Sequence, residues 1–187
     1  MHQQVMSRQT ADIATALRYN GFARLLHWVI AVLMAGMYLT DQVRGFYERG
    51  APGRDWWLGA HASMGITIFA LTVLRLIWRL AFKAPAPIPG SLLMHRAAQL
   101  GHLTLYLATF GLPLSGFLRY ASTGRDLLLY GSTIASPFGN SAMLRNIGES
   151  LHNGFWTNLL LVLLGLHIAA ALYHHLILKD ETLRRMA

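Results

Sequence analysis

The sequence predicts an all-α transmembrane four-helix bundle. Hydrophobic residues make up 54% of the 187 positions and charged residues only 13%, a balance that does not suit an ordinary soluble domain of this length. Four apolar runs are each long enough to cross a bilayer, which takes about 20 helical residues. The sequence contains no cysteine, which excludes disulfides and metal sites with thiolate ligands.

The four predicted helices cover residues 22–40, 57–80, 97–118 and 154–178. A polar loop at 41–56, a Pro-rich turn at 83–91 and a longer Gly/Ser loop at 120–148 connect them, so we expect a single integral-membrane domain over residues 1–187. Pro113 lies inside the third run, and one bent helix is expected there because neighbouring helices can satisfy the carbonyl that proline leaves free. Residues 1–17 lack the apolar core and cleavage site of a signal peptide and are expected to form an N-terminal extension.

The basic residues favour a membrane orientation over a nucleic-acid interface. The formal net charge is +8, but the arginines lie at the edges of the apolar runs, where their side chains can snorkel to the surface. Lysine and arginine are more abundant on the side of the N-terminus, the Pro-rich turn and the C-terminal tail. By the positive-inside rule, both termini are expected to be cytoplasmic.

Four histidines fall into two pairs when their depth along the predicted helices is considered. His27 and His167 lie on the cytoplasmic side, and His61 and His152 lie near the outer boundary. The fifteen residues from His152 to His167 rise by about 22 Å and bring the two side chains within about 60° of one helix face. Facing imidazoles repeated at two levels are typical ligands of two stacked haems.

Other interpretations of the histidines remain open at this point. Zinc or copper would need three or four ligands at one depth, and each of the four could instead be a core histidine bonded to a neighbouring hydroxyl or carbonyl. His102 lies at the cytoplasmic depth and competes for that site. His174 shares the face of His167, so spacing alone does not separate them, whereas His175 is expected at the interface. His95 and His2 are expected to be solvated.

Small residues flank two of the proposed ligands and would leave room for a flat macrocycle, although membrane helices also use such residues for close packing. They are Gly59, Ala60, Ala62 and Gly65 near His61, and Gly165, Ala169 and Ala170 near His167.

Several motifs of the chain are typical of one known family: "LLHW", "VRGFYER", "RLIWRL", the Pro-rich turn, "LGHLTLYL", "GLPLSG" and, most specifically, "GLHIAAALYHHLILKDETLRRM". On these motifs, the chain resembles the small bacterial cytochrome b561 proteins from about Arg18 to its end. The resemblance implies a four-helix protein of the bacterial inner membrane with two haems b. It implies His27 and His167 as ligands of the inner haem, His61 and His152 as ligands of the outer haem, and His174 at a ubiquinone site.

One departure from the family concerns the last helix. The segment from His152 to His167 is one residue longer than in the family. Because each residue turns a helix by 100°, this affects His152 unless a π-bulge or a small rotation absorbs the extra residue.

The resemblance implies electron transfer from superoxide to ubiquinone. Superoxide is an anion, and Arg44, Arg49 and Arg54, together with Arg119, would concentrate it near the outer haem. Each arginine has the alternative of pairing with a lipid phosphate or a haem propionate. Arg75 and Arg79 are expected to pair with propionates of the inner haem or to snorkel. His174 would bond a quinone carbonyl and relay a proton, with Lys179 and Asp180 at the water boundary.

Two rival functions are a quinol-linked cytochrome b that exchanges electrons with a partner dehydrogenase or hydrogenase, and a haem-free membrane transporter. The short outer loops offer little surface on which a partner protein could dock, so none is indicated.

Overall fold

The structure is a computed structural model that describes residues 18–187, so the predicted N-terminal extension and His2 lie outside the described residues. Its elements are α1 (Gly21–Gly45), α2 (Pro52–Ala81), α3 (Leu92–Ala121), β1 (Leu127–Leu129), β2 (Ser132–Ile134), α4 (Ala142–Glu149), a first π-helical segment (Ser150–Trp156), α5 (Thr157–Tyr173) and a second π-helical segment (His174–Leu178).

Three helices are long and apolar enough to cross a membrane: α1, α2 and the continuous helix Ala142–Leu178 that contains α4, α5 and both π-helical segments. This mostly helical architecture is that of a membrane protein. The remaining helix, α3, is 30 residues long, but it is not among the three because polar residues such as Gln99 and His102 dilute its apolar side chains.

The helices begin where the sequence supplies capping groups. Asn20 and Ser91 accept hydrogen bonds from backbone N–H groups in the first turns of α1 and α3, and Pro52 opens α2, where its missing N–H is not needed. The α3 helix runs through Pro113 without ending, as expected for a membrane helix.

Consecutive helices pack side by side around a thin apolar core. The long helices contact one another in chain order, α1 with α2, α2 with α3, and α3 with the last helix. Each contributes to the core, which consists of Ile30, Met37, Ile68, Ala108, Leu112 and Leu160. Large apolar side chains such as Val32 and Leu80 remain mostly exposed on the outside, as expected for surfaces that face lipid.

The prediction of a Gly/Ser loop over the whole of 120–148 was wrong. Residues 122–141, here called the folded cap, contain a β-hairpin, and the last helix already begins at Ala142. Strands β1 and β2 pair antiparallel, and Tyr130 and Gly131 between them both have positive φ, which is the geometry of a two-residue hairpin turn. Leu127 is 1% exposed, and the Tyr130 hydroxyl lies within hydrogen-bond distance of the Ser63 carbonyl and the Thr67 hydroxyl on α2. The leucines of β1 fold against the helices because this removes them from water.

The last helix begins at Ala142, twelve residues before the predicted start. Ser141 caps it by accepting a hydrogen bond from the Leu144 N–H. The first π-helical segment then places His152 within a wider turn, which accommodates one more residue than an α-turn does. Of the two ways in which the sequence could absorb a longer spacing between His152 and His167, a π-bulge or a small rotation, the structure contains a π-helical segment at His152.

Candidate functional site

A cavity of about 1760 Å³ runs between the helices, well above the roughly 300–1,000 Å³ of a pocket for one small ligand. One of its ends, here called the hairpin end, lies at the loop 46–51 and residues 122–141. The other, the termini end, lies at Tyr19, the turn 82–91 and the tail 179–187. Seven histidines line the cavity, namely His27, His61, His95, His102, His152, His167 and His174.

His61 and His152 face each other across the cavity near the hairpin end. Their ring centroids are 6.1 Å apart and their planes are inclined by 79°. His61 Nδ1 lies 3.2 Å from the Met37 carbonyl oxygen, and His152 Nδ1 lies 2.8 Å from that of Leu112. Because a carbonyl can only accept, each Nδ1 carries the proton, which leaves each Nε2 with a free lone pair for a metal.

Gly116 on α3 leaves the space that the His152 ring occupies against this helix. A Cβ at this position would lie 2.6 Å from His152 Cε1 and 2.8 Å from Nδ1, closer than real contacts allow. The ring of His152 is therefore positioned by the π-helical segment on one side and by a glycine on the other.

His27 and His167 form the second pair, at the termini end. Their centroids are 6.2 Å apart with an interplanar angle of 72°. His102 is at nearly the same distance from His167, 6.3 Å, with an angle of 65°. The structure thus brings together all three histidines that the sequence places at this depth. The centroid distances alone do not show whether His27 or His102 is the partner of His167.

The spacing in both pairs suits one metal ion held between two imidazoles. With metal–nitrogen bonds of about 2 Å on each side, the two ring centroids are about 6 Å apart. In residues 18–187, no group of three or more His, Asp or Glu side chains converges closely enough to hold a metal by itself. The residues therefore fit a group that fills the equatorial positions of the metal, as the porphyrin of a haem does.

The small residues next to the proposed ligands have different roles. Ala62 and Gly65 line the cavity, and nothing lies within 4 Å of a Cβ placed at Gly165. Gly59 instead gives room to the hairpin, since its Cβ would lie 3.0 Å from the Leu128 side chain. The expectation that Gly59 makes room for a macrocycle is therefore not supported.

His174 is held by the start of the C-terminal tail. Its Nδ1 lies 2.6 Å from Asp180 Oδ2 and 3.2 Å from the Thr182 hydroxyl. Burial works to raise the pKa of Asp180, but hydrogen bonds from Thr182 and His174 outweigh it and lower this pKa to about 2. Asp180 is thus an acceptor that orients His174, whose ring lines the cavity.

The C-terminal tail closes the termini end of the cavity. The Met186 carbonyl accepts a hydrogen bond of 2.7 Å from Trp28 Nε1, and Arg185 donates one of 2.6 Å to the Ala86 carbonyl in the Pro-rich turn. His95 was expected to be solvated, but it is half-buried. Its Nε2 lies 2.9 Å from the Ile88 carbonyl, because His95 is in the first turn of α3 and the Pro-rich turn comes directly before it. His175 is half-buried and does not line the cavity.

The arginines predicted for the outer side all line the cavity at the hairpin end, but several already have partners. Arg44 pairs with Asp41, and Arg119 Nε lies 3.2 Å from Glu149. Arg54 donates to the carbonyls of Arg44 and Tyr47 and so caps the end of α1.

Two further cavity arginines were not singled out from the sequence. Arg125 follows α3 and Arg145 lies on α4, and only the folded cap brings them to the cavity. With these two, six arginines line the hairpin end of the cavity, against three carboxylates, those of Asp41, Asp55 and Glu149. The electrostatic potential at this end is therefore positive. Arg49 is exposed there and forms no ion pair within residues 18–187.

At the termini end, Arg75 and Arg79 both line the cavity. The Arg75 guanidinium lies 5.7 Å from the centre of the Tyr106 ring. The Tyr106 hydroxyl is buried and has no hydrogen-bond partner within residues 18–187. Sequence reasoning missed Tyr106, although its position four residues after His102, on the same face of α3, would have indicated it.

The chain is similar over nearly its whole length to known proteins. The family model described as prokaryotic cytochrome b561 matches residues 18–187. Cytochrome b561 homolog 2 of Escherichia coli (strain K12) is 32% identical over 181 residues, 92% of each chain. Cytochrome b561 homolog 1 of the same organism is 33% identical over 175 residues, 90% of this chain and 96% of the relative.

A third relative is named for an activity. The probable superoxide oxidase CybB of Yersinia pestis is 29% identical over 164 residues, 86% of this chain and 90% of the relative. A family model that covers all the described residues, facing histidines in a helical membrane protein and these relatives agree with one another. This chain belongs to the prokaryotic cytochrome b561 family, whose members are membrane electron-transfer proteins that bind b-type haem.

Proposed function

We propose that the protein is a di-haem superoxide:ubiquinone oxidoreductase of the bacterial inner membrane. In this proposal α3 crosses the bilayer beside the other three helices, both termini are cytoplasmic and the hairpin end is periplasmic. The observation that carries it is the pair of facing imidazoles at each end of one cavity, 6.1 Å apart in one pair and 6.2 Å in the other.

His61 and His152 would hold one haem b, and His27 and His167 the other. Haems with two imidazole ligands supply one-electron transfer and have no open coordination position for oxygen. The Met37 and Leu112 carbonyls would fix the Nδ1 proton of the first pair, so that Nε2 points at the iron. Arg75 would pair with a propionate at the termini end, because it faces the cavity without an ion-pair partner within residues 18–187; Arg79 would assist it.

The arginines at the hairpin end would attract superoxide. Among those predicted to do so, Arg49 is the least engaged, whereas Arg44 and Arg54 would act mainly by shaping the entrance. Two superoxide anions each lose one electron and become oxygen. The name of the Yersinia pestis relative and the positive field support this substrate.

His174 would serve ubiquinone reduction, which takes two electrons and two protons per quinone. Its Nδ1 donates to Asp180, so Nε2 is free to bond a quinone carbonyl at the cavity wall. Asp180 and the adjacent Lys179 lie where the chain leaves the last helix, and a proton from water can reach the ring there.

Absorption spectra of single-histidine variants test the haem assignment. The purified protein should contain two haems per chain, and His61→Ala and His27→Ala should each lose one, with loss of the corresponding part of the reduced α-band. His175→Ala is the matched control, since its ring does not line the cavity. A folded protein that stays colourless when haem is supplied would overturn the proposal and leave the transporter alternative.

Stopped-flow mixing with superoxide tests the substrate. Haem reduction should approach the encounter rate and should slow at high salt, because a positive entrance steers an anion. Added ubiquinone should then reoxidise the haems. Reduction by quinol but not by superoxide would instead support the cytochrome that works with a partner dehydrogenase or hydrogenase.

A further inference from the structure

A second, smaller cleft opens at the termini end and adjoins the large cavity, with which it shares Arg75, Arg79, Tyr19 and Tyr106. Asn20, Ala23, Trp78, Phe82 and Lys83 line this cleft and not the large cavity. Arg75 and Arg79 lie one turn apart on the same side of α2, and Lys83 follows just past the end of the helix; all three line the cleft. None of the residues that line the cleft is acidic.

The cleft therefore suits an anion. None of its three cations forms an ion pair within residues 18–187. Two phenols, those of Tyr19 and Tyr106, add hydrogen-bond donors, and the second is buried without a partner in that part of the chain. A buried donor without a partner is costly unless a ligand satisfies it.

The surroundings of the cleft indicate what carries the anion. Its enclosed volume is about 30 Å³, close to the share of one water molecule in the liquid, so only the oxygens of a larger molecule fit inside. Phe82, which lines the cleft, is 47% exposed, and Leu80, the residue after Arg79, is 79% exposed. Trp78 and Phe82 stack at the point where the helix ends, the position that aromatic residues take at a membrane surface.

We propose that this cleft binds the phosphate of an anionic phospholipid, with the acyl chains lying along Leu80 and Phe82. Lys83 and Arg79 hold the phosphate, and Tyr19 closes the cleft from the start of α1. Arg75 and Arg79 belong to the wall that the cleft shares with the large cavity, whereas Lys83 and Phe82 line the cleft only. A change at Lys83 therefore tests the cleft without touching the residues proposed to hold haem or to attract superoxide.

Native mass spectrometry and thermal unfolding of the detergent-purified full chain test the site. Phosphatidylglycerol should remain bound and raise the melting temperature more than phosphatidylcholine does. Lys83→Gln should weaken phosphatidylglycerol binding about fivefold, which is about 1 kcal/mol per cation near an anionic surface. Arg96→Gln is the control, because Arg96 is an exposed cation at the same end that lines neither cavity.

Three outcomes would overturn the proposal. Equal stabilisation by the two lipids would show that charge is not recognised. Unchanged lipid binding in Lys83→Gln would place the lipid elsewhere. Stabilisation by inorganic phosphate alone, at the level reached with phosphatidylglycerol, would show a site for free phosphate and no lipid. Each readout counts bound lipid or unfolding, so a failure here is distinguishable from a failure of the haem assignment.

Discussion

Gly116→Ala is the sharpest test of how His152 is positioned. The new Cβ would lie 2.6 Å from His152 Cε1, whereas ordinary contacts begin at 3.4 Å, so the ring has to move by about 0.8 Å. The bond from Nδ1 to the Leu112 carbonyl is 2.8 Å long, and a displacement of that size is enough to break it.

The expected effect follows from the role of that hydrogen bond. Losing a group that orients a metal-ligating histidine costs about 10- to 100-fold in metal affinity, which corresponds to about 1.4–2.7 kcal/mol. We therefore expect Gly116→Ala to lose haem selectively at the hairpin end. The haem-to-protein ratio should fall from two toward one, and haem transfer to an apo-globin acceptor should become faster.

The matched control is Gly101→Ala in the same helix. Nothing lies within 4 Å of a Cβ at that position, and alanine is favoured over glycine in a helix by about 1 kcal/mol. This variant should keep both haems. If Gly116→Ala also keeps both haems with unchanged spectra and transfer rates, the proposed placement of His152 is wrong.

Four further predictions concern the tail, the hairpin and the entrance. Asp180→Asn should slow quinol formation about tenfold without affecting haem reduction by superoxide, because His174 loses the acceptor that orients it. Since the pKa of Asp180 is lowered to about 2, its carboxylate contributes stability that is present above about pH 4 and is lost as the pH falls toward 2; thermal unfolding should show this loss in the wild type and not in Asp180→Asn. Gly131→Val should open the hairpin, because φ at that position is 78°, and limited proteolysis should then cut residues 122–141 faster. Arg49→Gln combined with Arg125→Gln should reduce both the rate of haem reduction by superoxide and its salt dependence, measured by stopped flow, whereas Arg96→Gln should leave both unchanged.

The sequence by itself determined that this is a helical membrane protein and which histidines lie near one another at each end of the cavity. Apolar run length and the absence of cysteine are local properties, and the rise of a helix converts the spacing of His152 and His167 into depth. For this reason the two histidine levels could be predicted without a structure. The starts and ends of the helices were less predictable: the last helix begins at Ala142 because Ser141 caps it outside the apolar run.

Only the tertiary structure decided the details that make the site specific. The first π-helical segment changes the direction of His152, and its partner Leu112 lies forty residues away, on another helix. The leucines of β1 form a hairpin because α2 offers them an apolar surface. Such choices depend on contacts between segments distant in the chain, and a residue pattern within one segment does not contain them.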